Sequence, residues 1–74
     1  MDEITAEAAI KAILKEIHLR TSDAARIAKA AQACADAGSV DEAITISMEI
    51  EQLIYEAGRL QDAASLLNRL ARQR

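Results

Sequence analysis

Few side chains in this chain could do chemistry, so each can be weighed by type and spacing. Its 74 residues include one histidine and one cysteine. A protein zinc site draws three or four ligands from such residues, so His18 and Cys34 alone do not make one. His18 falls about 80° around a helix from Ile10, at the edge of an apolar stripe. No carboxylate stands at helical spacing to tune it, so it reads as a boundary or surface histidine. Cys34 stands among Ala30, Ala31, Ala33 and Ala35, the setting of a small buried hydrophobe rather than a nucleophile. The sequence has no G-x-S-x-G, no H-E-x-x-H, no E-x-x-H pair and no glycine-rich phosphate loop. The expectation is no catalytic residue, no metal ligand, no cofactor and no enzyme activity.

Composition narrows the partners. The net charge is −3, which disfavours direct nucleic-acid binding. Residues 30–58 hold Asp36, Asp41, Glu42, Glu49, Glu51 and Glu56 with no Lys or Arg. Beyond them Arg59, Arg69, Arg72 and Arg74 face only Asp62. An acidic middle beside a basic tail can pair within one molecule or between two. A single thiol forms no internal disulfide and suits a reducing, cytoplasmic setting. No apolar run approaches the roughly 18 residues of a membrane span, and no signal peptide is evident.

These elements are expected to be helices. There is no proline, glycine occurs twice, and alanine is abundant, which favours helix over sheet. Ile10, Ile13, Leu14 and Ile17 follow the i, i+3, i+4, i+7 pattern, with Ala6 extending it. Glu7 and Lys11 form a favourable i, i+4 pair. Thr21, Ser22 and Asp23 are good N-cap residues and predict a break near Leu19–Arg20, with a kinked continuous helix as the alternative. Gly38 predicts a helix stop in the left-handed conformation, and Ser39-Val40-Asp41-Glu42 is a capping box. Ile44, Ile46, Met48 and Ile50 alternate with polar residues as a strand would. The cap before them and the unbroken run after them favour helix. Gly58 predicts a second stop, followed by the stripe Leu60, Ala63, Ala64, Leu67, Leu70 and Ala71. The expected fold is all-α: one domain over residues 1–74 with frayed ends at 1–3 and 73–74. It is a small bundle of three to four short antiparallel helices at about 4–19, 22–37, 40–57 and 60–72.

The segments GSVDEA (38–43) and GRLQDA (58–63) match as G-x-Φ-x-[ED]-A at a spacing of 20. With Ile27, Ala30, Ala31, Cys34, Gly38, Val40, Ala43, Ser47 and Ile50, residues 24–57 resemble a tetratricopeptide-type helix-turn-helix repeat. The family's aromatic positions hold Ile27, Cys34, Val40 and Ser47 instead, and its closing proline is absent. The resemblance implies a helical scaffold that binds a segment of another protein.

The third expected helix carries the site residues. Ala43, Ile46, Ile50, Leu53, Ile54 and Ala57 share one face. Ile44, Met48 and Tyr55 cluster about 120° away. Either the other helices cover both faces, or Ile44, Met48 and Tyr55 form a protein interface with Arg69 and Arg72 at its rim. Met is adaptable and Tyr is favoured at interfaces. The expected function is a non-catalytic protein–protein interaction module: an adaptor, chaperone-like subunit or regulator that self-associates. The alternative is a small acidic regulator of a DNA-binding or nuclease partner, acting as inhibitor, antiactivator or DNA mimic.

Overall fold

The computed structural model describes residues 2–73; Met1 and Arg74, placed above among the frayed ends, lie outside the described residues. Three helical segments follow in order: α1 (Glu3–Asp36), α2 (Val40–Ser47) and α3 (Glu49–Arg72). Between α2 and α3 only Met48 intervenes, and its backbone remains helical at φ −63° and ψ −25°. The molecule is therefore a hairpin of one long helix and one bent helix, 57 Å long and 14 × 11 Å across.

This corrects the expectation of three to four short helices. The predicted break near Leu19–Arg20 does not occur. The Thr21 hydroxyl donates to the carbonyls of Ile17 (2.9 Å) and His18 (3.1 Å) within its own helix. A hydroxyl bonded backward in this way does not cap a new helix. Arg20 reaches back to Glu16 (2.7 Å) and Asp23 forward to Arg26 (3.5 Å), so helical i, i+4 and i, i+3 pairs stand on either side of the proposed junction. Gly58 likewise ends nothing. It lies inside α3, and Gly38 is the glycine with a positive φ, at 97°. The second copy of the G-x-Φ-x-[ED]-A segment is thus helix interior, not a turn.

The stop at Gly38 stands, and its hydrogen bonds explain it. The Gly38 amide donates to the Ala35 carbonyl (2.9 Å) and the Ser39 amide to that of Cys34 (3.1 Å). These are the nested bonds of a left-handed C-terminal cap. The expected capping box is absent: Ser39 is the N-cap of α2, but its side chain makes no capping bond. The bend at Met48 has a local cause. Thr45 Oγ1 donates to the Asp41 carbonyl (3.2 Å) and Ser47 Oγ to that of Ile44 (2.7 Å). Hydroxyls bonded to their own helix's carbonyls tend to bend it.

Why the two arms adhere follows from a seven-residue pattern. On α1, residues 6, 10, 13, 17, 20, 24, 27, 31 and 34 alternate in steps of four and three. On the returning arm, residues 43, 46, 50, 53, 57, 60, 64, 67 and 71 do the same. Every one of these positions is buried or half-buried. This is the seam of an antiparallel two-stranded coiled coil. One column of the returning arm reads Ala43, Ile50, Ala57, Ala64, Ala71 and the other Ile46, Leu53, Leu60, Leu67. Alanine in one column lets the backbones approach, while leucine and isoleucine in the other fill the space beside it. Ile54, expected on the core face, falls outside the seam and is 52% exposed.

Since Gly58 is helical and a Cβ there would meet nothing within 4 Å, Gly58→Ala should stabilise the hairpin by about 0.5–1 kcal/mol. Gly38→Ala should destabilise it by about 1–2 kcal/mol, because a left-handed residue acquires a Cβ. Urea unfolding of both variants in dilute solution measures the two effects, which must have opposite signs.

Candidate functional site

The hairpin leaves two long flanks beside its seam, and they differ in kind. One flank carries an ion-pair network that crosses between the arms. Arg20 Nε donates to Glu56 Oε1 (3.0 Å) and its Nη1 to Glu16 Oε1 (2.7 Å), while Gln52 Nε2 donates to Glu56 Oε2 (2.8 Å). Arg20 occupies a seam position, where its neighbours at the same spacing are Ile13 and Ile27. A charged residue there fixes register at a cost in stability. Shifting the pairing would leave Arg20 without Glu56. Leu19, Leu66 and Leu70 are partly exposed on this same flank.

The sequence reading missed this cluster because it placed a helix end at Arg20. The signal was available: the step pattern runs unbroken from Ala6 to Cys34 with Arg20 as its one charged member.

The opposite flank is mixed, with large apolar side chains set among small and uncharged polar ones (His18, Gln32, Ser47, Gln61, Ser65 and Asn68). Leu14, Ile44 and Ile54 are 53%, 61% and 52% exposed there. Among them stand Thr21, Ala25, Ala28 and Gly58, with Glu51 the one charge between residues 12 and 71 on that side. At the open end of the hairpin this flank holds a groove of about 310 Å³. Buried Ala6 and Ala71 with half-buried Ile10 form its floor, and exposed Glu3, Glu7, Lys11, Asn68 and Arg72 surround it. At the turn end of the same flank Val40 and Ile44 protrude.

The structure splits the expected interface. Met48 (69% exposed) and Tyr55 (61% exposed) lie seven residues apart on the outside of the bent arm, directly away from α1. Ile44 lies round the arm toward the apolar flank. None of the three is covered within the hairpin. The Arg59 guanidinium stands 5.8 Å from the centre of the Tyr55 ring, a cation–π distance, and Arg59 is itself paired with Asp62. Arg69 and Arg72 lie in the last turn of α3, where they suit the negative end of the helix dipole.

His18 is an exposed residue in the middle of α1, not near a helix end. Cys34 is half-buried at a seam position, with its thiol 3.5 Å from the Ser39 carbonyl. Among the described residues, no three His, Cys, Asp or Glu side chains come together as a metal cluster would, and no helix is long and apolar enough to cross a membrane.

Hydrogen bonds from Gln52 first, and then from Arg20, hold the Glu56 carboxyl below its usual range. A carboxyl depressed in the folded state contributes stability above its unfolded value, about 4.3, and loses that contribution as the pH falls through the folded value. The wild type should therefore lose stability more steeply on acidification than Glu56→Gln does. Thermal unfolding of both proteins across the acid range checks this, and parallel curves would show that Glu56 is not coupled to folding. Comparison of the chain with known protein families, with characterised proteins and with solved structures finds no match.

Proposed function

We propose that the protein is a non-catalytic protein–protein interaction module that completes its fold by association, first of all with itself. The observation that carries this reading is a mismatch between core and surface. Among the described residues, the buried apolar ones are seven alanines and Ile27, whereas ten large apolar side chains are exposed by 43–78%. Burial of apolar area is the main favourable term in folding and association alike. A two-helix seam lined with alanine uses little of what this sequence has to offer.

Two surfaces support the reading. The apolar flank bearing Leu14, Ile44 and Ile54 suits helix-on-helix packing, because alanine, glycine and threonine lie between its large side chains. The outer strip of Met48 and Tyr55 is separate and suits a second protein, with adaptable Met and amphipathic Tyr as its contacts. Arg69 and Arg72 stand at the open end as a basic rim. A cytoplasmic setting fits the single unpaired thiol.

The test is solution mass across a concentration series, with helicity read at each point. Mass and helicity should fall together on dilution, since folding and assembly are then one equilibrium. A chain that remains monomeric and fully helical from low micromolar to millimolar concentration overturns the reading.

A further inference from the structure

The surface area of the hairpin is out of proportion to its mass. A compact monomer of 8.0 kDa exposes about 4450 Å², whereas this chain exposes 5547 Å². Its radius of gyration is 16.9 Å, against about 11 Å for a compact chain of this length. The excess, roughly 1100 Å², exceeds the ~800 Å² that each partner contributes to a standard stable interface. A second hairpin laid on one flank would bury area of that order.

Charge selects the orientation. Residues 23–55, the half of the hairpin nearest the turn, hold six carboxylates and two bases, a net charge of −4. The remaining residues hold six carboxylates and seven bases, a net charge of +1. The rod is therefore electrically polar. Two copies with their turns side by side would gather Asp36, Asp41 and Glu42 of both at one end. Two copies reversed would set the acidic turn end of each beside the basic open end of the other.

Shape selects the same arrangement. The apolar flank bears protruding Val40 and Ile44 at its turn end, and the groove floored by Ala6, Ile10 and Ala71 at its open end. Knob and groove on one surface, at opposite ends, fit each other twice under a two-fold axis. An axis level with Arg20 and Glu56, near mid-length, also sets large residues against small ones. Ile54 of one copy meets Gly58 of the other and Leu14 meets Ala25 and Ala28, while Ile44 comes level with Asn68 on the groove wall.

We propose that two copies of this chain pack antiparallel through their apolar flanks, forming a four-helix bundle with the two turns at opposite ends. This rests on the reading of the protein as a self-associating module and specifies the face and the direction. Each arm of one copy lies on the same arm of the other. Val40 and Ile44 fill the groove at the far end, where Arg72 on the groove's edge meets the acidic turn end of the other copy. Met48 and Tyr55 stay on the outside of the bundle.

The test combines mass with cross-linking in the full chain. Wild type should show twice the monomer mass by light scattering. The pair Ile44→Gln with Ile54→Gln should halve that mass, and the pair Met48→Gln with Tyr55→Gln should leave it unchanged. The opposite result from the two pairs overturns the assigned face. Because the Ile44/Ile54 variant can lose its helices on dissociating, direction is read independently in a Cys34→Ala background. Thr21→Cys, on the flank near mid-length, should form a disulfide-linked dimer under mild oxidation, and Ser39→Cys at the turn should not. Efficient cross-linking through Ser39→Cys without Thr21→Cys overturns the antiparallel arrangement and leaves self-association standing. A wild type of monomer mass overturns both.

Discussion

Everything in this hairpin depends on how closely two helices can approach when one of them presents alanine every seventh residue. Ala57, Ala64 and Ala71 sit under α1 with less than a tenth of their surface exposed, and Ala6, Ala24 and Ala31 answer from the other arm. Small side chains bring the backbones together and gain dispersion contacts, but they remove little apolar surface from water. Among the described residues no large side chain is fully buried. The leucines and isoleucines of the neighbouring column stay partly exposed, since a two-helix assembly has nothing to place above or below them. Close approach and incomplete burial are thus one fact seen from two sides.

Arg20 answers a question that an alanine seam raises. Alanine against alanine discriminates poorly between registers, because sliding one helix by two turns brings up another alanine. A guanidinium bonded to Glu16 on its own arm and to Glu56 on the other does discriminate. Such a pair adds little net stability in a site this open, and its value lies in favouring one alignment over its neighbours. The Gly38 turn fixes the same alignment from the end of the hairpin, so register is specified at two points about half a helix length apart.

Much of this was legible in the sequence, and the failures have physical reasons. Helix was legible from the absence of proline, and the one true turn from Gly38. The alternation at Ile44–Ile50 was rightly taken as helix. Thr21, Ser22 and Asp23 misled because cap residues report only what a backbone could do; here the hydroxyl bonded backward and the apolar pattern continued through them. Gly58 misled because a glycine can sit inside a helix whenever packing on the far side holds that helix together. Ile54 was assigned to the core by a broad helical face, whereas a two-stranded seam admits a narrower stripe than a bundle does. The exposure of Ile44, Met48 and Tyr55 was left open because it depended on how many helices there were to cover them.

The single turn also governs time. In a hairpin closed at Gly38, the two arms meet at sequence separations that grow steadily away from the turn, reaching 36 residues at the Arg20–Glu56 pair. Closing each further contact onto an arm already zipped costs far less chain entropy than closing it from the open chain. Chain entropy therefore favours closing from Gly38 outward and fraying from Ala6 and Ala71 inward. The groove at the open end lies in the last turns to form and the first to separate, so whatever occupies it acts as a clasp on the kinetics of the whole rod.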